Sequence, residues 1–324
     1  VLGLISLHLD INKLKTSSQA LAEEKNRLSN SIKSASADER QDNISKRKEL
    51  GEELKVEQEE LAKLEEQFND IMLRMPNLPS EDAPVGKDED ENVVIRKIGT
   101  PREFDFKPLD HVELMDLNNW GEMERIAKVS GSRTYAIKNE LARLELALHM
   151  FVLDKLSENG FNIINVPSIS KEKPLFGMGY LPFASDEIYY MPADDIYLSG
   201  TAELVLNSLH ADEILTENQL PILYAGFSPC FRREAGAAGK DTRGLVRVHQ
   251  FMKTEQFVIC ANDFKESEKW HLKLLEISES VLQDLELPYQ VLDICTGDMG
   301  APKYRQYDLE AWVPSQGVYR ETHS

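Results

Sequence analysis

The chain has 324 residues, 41% of them hydrophobic and 29% charged: long enough for two domains with one sizeable core, and too apolar for a disordered chain. With 37 Lys and Arg against 56 Asp and Glu, its net charge is -19, so a nucleic acid would have to be met by local basic patches rather than by overall charge. Cys230, Cys260 and Cys295 form no C-x-x-C pair, which points away from a disulfide framework or a zinc knuckle and fits a reducing cytoplasm.

No run of about 18 apolar residues offers a membrane span, and no basic-then-apolar signal peptide opens the chain. The chain begins at Val1, already in helical register. Its natural start is therefore expected upstream, and a mitochondrial matrix address stays open beside the cytoplasmic one.

Apolar residues fall at Leu7, Ile11, Leu14, Leu21, Leu28 and Ile32, with Ser18 and Lys25 at the intervening polar positions. This is a heptad seam. A Ser-, Ala- and Asp-rich tip over 34–43 is expected to break it. A second seam then runs through Leu50, Leu54, Leu61, Leu64, Phe68, Ile71 and Met75, with Glu57 as its polar intruder. The two predict an antiparallel helical hairpin over 1–76. Arms of roughly 30 residues reach roughly 45 Å at about 1.5 Å per residue, further than a brace for a globular core needs. Lys25, Arg27, Lys33, Lys46, Arg47 and Lys48 lie along it among interleaved acids. Singly, each suits a solvated helix face; together they suit contact with a phosphate backbone. A dimerisation hairpin is the competing reading.

Pro76, Pro79, Pro84, Gly86 and the acidic run 88–91 predict a linker over 77–112, followed by a second domain over 113–324. A helix over about 136–159 is expected to bury Leu141, Leu144, Leu148, Phe151, Val152 and Leu156, with Gly160 stopping it. A strand over 161–166 runs into Pro167. The stretch 171–181 reads as a surface loop near a site mouth, and 189–198 as two short strands around the turn Asp194-Asp195.

The stretch 227–257, FSPCFRREAGAAGKDTRGLVRVHQFMKTEQF, has apolar runs on either side of a Gly- and Ala-rich loop, the pattern of a strand hairpin. Arg232, Arg233, Arg243 and Arg247 gather guanidinium forks around it, as a polyphosphate requires. It is neither a P-loop nor a G-x-G-x-x-G turn, so a nucleotide is expected on another kind of fold.

This stretch resembles motif 2 of the class II aminoacyl-tRNA synthetases. From Phe231-Arg232 through Thr242-Arg243-Gly244-Leu245 to His249-Gln250-Phe251 it is similar to the seryl-tRNA synthetases of bacterial or organellar type. The stretch 77–87 (NLPSEDAPVGK), the helix, strand and Pro167 order of motif 1, Ser199-Gly200-Thr201-Ala202-Glu203, 294–300 (ICTGDMG), Tyr307–Val313 and Glu321-Thr322-His323-Ser324 resemble the same family.

The resemblance implies an α+β protein: an N-terminal antiparallel coiled-coil hairpin, then a class II catalytic domain with a mainly antiparallel sheet flanked by helices. It implies a homodimer joined through motif 1, with ATP, L-serine and tRNA-Ser as ligands, Mg2+ on the ATP phosphates, and an arm that holds the long variable arm of the tRNA. The reaction needs positioning and charge neutralisation rather than a covalent nucleophile. The sequence shows neither a G-x-S-x-G elbow nor an H-E-x-x-H pair.

By the same resemblance, Arg232 would grip the α-phosphate and the serine carboxylate, and Arg247 the bent triphosphate, making these two the catalytic pair. Arg233 would join them on ATP. Glu234, expected on the strand face of Arg232, would accept from the adenine amino group, Phe251 would stack on adenine and Val248 would lend its backbone. Thr201, Ala202, Glu203 and Glu255 would hold serine, although Thr201 read alone is equally a helix N-cap. Glu321, Thr322, His323 and Ser324 would sit at the phosphates, with Glu321 and Ser324 on the metal; His323 departs from the family's usual Ser. Asp298 and Glu310 are expected to order the turn and the sheet. Lys240 and Arg243 would meet either ATP or the tRNA end. Motif 3 is expected beyond Ser324, so residues 1–324 alone are expected not to activate serine. A catalytically inactive paralogue that binds RNA or a partner is the alternative reading.

Overall fold

The computed structural model describes residues 2–32, 36–236 and 243–324, in two compact units, Val1–Met75 and Pro76–Ser324. Lys33, Lys240 and Thr242 lie outside the described residues. Among those described, no helix is long and apolar enough to cross a membrane.

The first unit is a hairpin of α1 (Leu2–Ser31) and α2 (Ala37–Leu73). The tip is shorter than the 34–43 expected, because α2 is already helical at Ala37. Ser36 starts it by donating its backbone N–H (3.2 Å) and its hydroxyl (2.6 Å) to the Glu39 carboxylate, a local closure that outweighs the weak helix propensity of Asp, Ser and Asn. Ile11 and Leu54 are buried in the seam. Its polar interruptions meet: Ser17 and Ser18 donate to the Glu57 carboxylate at 2.7 and 2.9 Å, a contact that only one register satisfies. The expected seam runs too far. Ile71 and Met75 are 42% and 43% exposed, and the last paired ring is Phe68, 5.5 Å from His8.

In the second unit a short turn at Glu89–Glu91 leads into β1 (Val93–Ile98), α3 (His111–Asn118), α4 (Glu124–Ser130) and α5 (Asn139–Glu158). Then come β2 (Asn162–Asn165), β3 (Ile169–Ser170), α6 (Glu172–Gly177), β4 (Tyr190–Met191), β5 (Ile196–Leu198) and α7 (Ala202–Ser208). The long strands β6 (Ile222–Phe231) and β7 (Gln250–Ile259) precede α8 (Phe264–Asp284), β8 (Tyr289–Asp293), β9 (Tyr307–Val313) and β10 (Val318–His323). Among the described residues the strands form three small sheets: β1-β8-β9-β10, β2-β6-β7 and β3-β5-β4. All pairings are antiparallel except β2 with β6.

The amphipathic helix α8 closes two cores. Leu275 and Leu282 pack on Tyr289, Val291, Leu309 and Ala311, while Ile277 joins Leu153, Leu156, Phe161 and Ala225. Residues 77–112, expected as a linker, contain β1, which pairs with β8 from Val93↔Asp293 to Ile98↔Tyr289. Arg96 on β1 forks onto Glu279 of α8, which also accepts from the Tyr289 hydroxyl at 3.0 Å.

Only part of the expected apolar face of α5 is covered. Leu153 and Leu156 are buried, but Leu144 and Leu148 are 62% and 41% exposed, as are neighbouring Leu146 and Met150 at 61% and 56%. His149 on the same helix reaches Thr254 Oγ1 at 2.9 Å and lies 5.1 Å from the Phe227 ring. Burial lowers its pKa, with the Glu145 charge partly opposing. A His depressed in the folded state adds stability that is fully present above its unfolded value of about 6.5 and is lost as pH falls through the folded one. We therefore expect His149→Leu to flatten the loss of stability below about pH 6.5 relative to the native chain, read by urea unfolding at stepped pH.

Candidate active site

The ten-residue pairing of β6 with β7, from Ile222↔Ile259 to Phe231↔Gln250, decides what converges. It sets Gly226 opposite Glu255 and Cys230 opposite Phe251. Arg232 leaves the end of β6 with its N–H on the His249 carbonyl at 3.0 Å, and its guanidinium lies 5.3 Å over the Phe251 ring. The expected phosphate grip and the expected adenine platform are thus neighbours.

Helix α7 packs so closely on β6 that a Cβ on Gly226 would stand 2.8 Å from Leu206 and 2.9 Å from Ala202. Only glycine allows that approach. It carries Thr201 to β7, where its hydroxyl donates to Glu255 Oε2 at 2.7 Å. The same hydroxyl oxygen accepts from the Glu203 N–H at 3.3 Å, so Thr201 is both an N-cap and a cross-strand partner. Lys253, two residues before Glu255 and hence on the same strand face, approaches that carboxylate oxygen to 2.5 Å. Lys303 stands 3.8 Å from Glu203. Ala202 is 1% exposed and its side chain belongs to the core with Val166 and Leu206, so only its backbone can face a substrate. Tyr180 is pushed up to about 12, by burial first and then by the charge of Glu203.

A cavity of about 460 Å³ is lined by Tyr180, Glu187, Gly200, Arg232, Glu234 and Arg247. Glu234 departs from expectation. It lies past the end of β6 in a left-handed turn (φ 54°) rather than on the strand face of Arg232, and it pairs with Arg247 at 2.9 Å. Arg247 Nε is buried with no partner among the described residues. Arg233 is exposed, and Val248 is buried at 5%.

The returning limb of the hairpin is held from the segment expected to be a linker. His111 Nε2 accepts from the Leu245 N–H at 3.0 Å, and Asp110 lies 3.7 Å from Arg243. Gly244 has φ 88°, and a Cβ there would fall 1.8 Å from His111 Nε2. We expect Gly244→Ala to cost roughly 2–4 kcal/mol, from the left-handed backbone and from overpacking together, measured as a lower midpoint in urea.

On the third wall, β10 pairs with β9 so that Glu321 faces Glu310, and the register slips between Glu321 and His323. Glu321 is open to solvent on one side yet crowded by protein. Burial, and next the charge of Asp308, raise its pKa, while Arg232 opposes them. Asp308 is raised by burial, against hydrogen bonds that include one from Ser324. Gln306 Nε2 bridges Asp308 and the Ser324 hydroxyl at 3.0 Å each. Thr322 donates to the Leu309 carbonyl at 3.1 Å, and burial pushes His323 down to about 4, so its imidazole is neutral at pH 7. Crowded carboxylates with raised pKa values and a hydroxyl, all oxygen donors, fit a hard cation. Among the described residues no three His, Cys, Asp or Glu groups converge as a metal cage, so phosphate oxygens would have to complete the shell. Beside Glu321, Glu310 accepts from Gln290 at 2.6 Å, and Asp298 accepts from Asn92 at 2.8 Å.

On the arm, Arg27 pairs with Glu24 at 2.7 Å. Lys46, Arg47 and Lys48 are exposed, and Lys25 runs across Gly51, 3.7 Å from where a Cβ would stand.

Comparison with known proteins gives a consistent result. Residues 2–79 match the seryl-tRNA synthetase N-terminal domain, and 189–324 the tRNA synthetase class II core domain (G, H, P, S and T). The serine--tRNA ligase of Deinococcus radiodurans is 46% identical over 97% of this chain and 74% of its own length; that of Thermobifida fusca is 43% identical over 94% and 72%. The fold is similar to a seryl-tRNA synthetase from Pyrococcus horikoshii complexed with ATP, with a TM-score of 0.90 at 36% identity, covering 98% of this chain and 76% of that one. It is also similar to a cytoplasmic serine-tRNA ligase from Naegleria fowleri in complex with AMP, with a TM-score of 0.85 at 27% identity and 98% and 77% coverage.

Proposed function

The chain belongs to the seryl-tRNA synthetase family, the serine--tRNA ligases, and from that premise we propose how its residues divide the work of joining serine to tRNA-Ser. In the first step a serine carboxylate oxygen attacks the α-phosphorus of ATP, and the bond to the bridging oxygen breaks as pyrophosphate leaves. In the second, the terminal ribose hydroxyl of the tRNA attacks the seryl carbonyl, loses its proton, and AMP leaves.

Arg232 holds the α-phosphate and the attacking carboxylate together, a task suited to a planar fork. Phe251 receives adenine on the ring that Arg232 borders, Val248 offers backbone beside it, and Arg233 and Arg247 take the outer phosphates. On this reading Glu234 has to let go of Arg247 before it can meet the adenine amino group. Thr201, the backbone of Ala202, Glu203 and Glu255 take the serine ammonium and hydroxyl. A site whose polar groups are satisfied by that hydroxyl leaves them unpaired with alanine.

Glu321 and Ser324 would hold Mg2+ on the phosphates, beside Thr322 and a neutral His323. The ion, when bound, offsets the negative charge of the triphosphate. A homodimer would cover the open side of α5 and β2, where Leu144, Leu146, Met150 and Ile163 are 62%, 61%, 56% and 50% exposed. The arm would track the tRNA backbone through Lys25, Arg27, Lys46, Arg47 and Lys48.

The observation that carries this reading is the 2.7 Å bond from Thr201 to Glu255, which joins the start of α7 to the strand that bears Phe251. Exchange of pyrophosphate into ATP, compared for serine, threonine, alanine and glycine with the intact protein, tests it. Serine alone is expected to support exchange; exchange with none of the four would overturn the proposal.

A further inference from the structure

The segment just before β4 holds a carboxylate that the family resemblance does not single out. Glu187 ends a short turn at Ser185–Glu187. Its side chain accepts from two successive backbone N–H groups, Ala235 at 3.2 Å and Gly236 at 3.0 Å. Its own carbonyl accepts from the Arg233 N–H at 2.9 Å. One residue thus fastens three of the four residues that follow Arg232. They follow the end of β6 at Phe231 and flank Glu234, which turns left-handed.

Two paired N–H groups on an ionised acceptor are stronger than neutral contacts and fix a direction as well as a distance. Glu187 is itself held. The Leu198 N–H bonds to the Tyr189 carbonyl at 2.9 Å, and β4 pairs with β5 through Tyr190↔Tyr197 and Met191↔Ile196. Strand β5 runs directly into Ser199, whose carbonyl accepts from the Phe231 N–H at 2.9 Å. Because β4 and β5 are antiparallel, Glu187 just before β4 and the Ser199-Gly200-Thr201 turn just after β5 leave the same end of this small sheet. Both hold the exit of β6, Ser199 at Phe231 and Glu187 at Arg233.

We infer that Glu187 is a positioning residue for ATP: anchored on Ala235 and Gly236, it sets the path of the chain from Arg232 to Glu234, and with it the aim of the groups that meet the nucleotide. The inference rests on the assignment of this cavity to ATP. The groups assigned to the serine ammonium and hydroxyl, Thr201 and Glu255 with Lys253, bond to one another and not to Glu187, and Arg232 itself is held by its N–H on the His249 carbonyl. The effect of Glu187 therefore falls on the nucleotide.

The test is ATP binding measured by titration calorimetry with Mg2+ in the intact protein, for native, Glu187→Ala and Glu187→Gln chains, with serine-dependent exchange kinetics and melting alongside. Glu187→Ala is expected to weaken ATP by roughly tenfold while the serine KM stays within about twofold and the melting temperature holds. Glu187→Gln, whose amide oxygen still accepts one N–H, is expected to fall between the two.

Unchanged ATP affinity in Glu187→Ala overturns the inference. So does tighter binding, which would mean that the carboxylate competes with phosphate for those N–H groups. A parallel loss of ATP affinity, serine affinity and melting temperature also overturns it, as the mark of a structural role. A native chain that binds ATP but shows no serine-dependent exchange would sink the functional assignment instead, and the comparison of ATP affinities would still decide the role of Glu187.

Discussion

Arg232→Ala is expected to lower kcat/KM for serine-dependent exchange by roughly a thousandfold, about 4 kcal/mol of transition-state stabilisation. The size follows from geometry. The guanidinium sits at the mouth of the hairpin, over the Phe251 ring and close enough to Glu321 for their charges to interact. On the proposed reading it meets the charge that develops on the α-phosphorus. Arg232→Lys keeps the charge but loses the fork, so it should recover only part of the rate. A loss below tenfold with Arg232→Ala, in a chain that still melts normally, would remove Arg232 from the chemistry.

The second large effect is expected at Glu255. Its carboxylate accepts from the Thr201 hydroxyl and pairs with Lys253, so Glu255→Ala strands a part-buried ammonium and an N-cap hydroxyl together. A rise of roughly a hundredfold in the serine KM is expected, about 2.7 kcal/mol, in the range for removing one partner of a hydrogen-bonded charge pair. The ATP affinity should move by no more than about threefold. Equal losses for serine and ATP would show that Glu255 supports the hairpin as a whole.

Much of this site was legible because its residues lie close together in sequence. The β6–β7 hairpin follows from its apolar runs and clustered cations, while the Arg232 and Phe251 positions and the strand Tyr307–Val313 were marked by the family resemblance of short local motifs. Contacts across long separations were not. Residue spacing gives no hint that Glu187 reaches Ala235 and Gly236, that His111 braces Gly244, or that Lys303 nears Glu203.

Two local readings failed for the same reason. The Pro- and Gly-rich composition before β1 masks a strand that exists because β8 offers it an edge. The apolar period of α5 says which residues are hydrophobic, not which are covered, so Leu144 was expected inside and is 62% exposed. Glu234 failed differently. Alternation along β6 was extended past Phe231, where the chain had already turned. Lys253, by contrast, was readable: two residues from Glu255 on a strand, it had to share its face.

On the proposed reading, the turn before α7 and the β7 strand form one serine site, joined through Thr201 and Glu255. A double-mutant cycle with Thr201→Val and Glu255→Gln, scored on kcat/KM for serine, measures that join. The two losses are expected to fall short of additivity by about 1 kcal/mol or more; losses that add within about 0.3 kcal/mol would separate the two residues into independent sites.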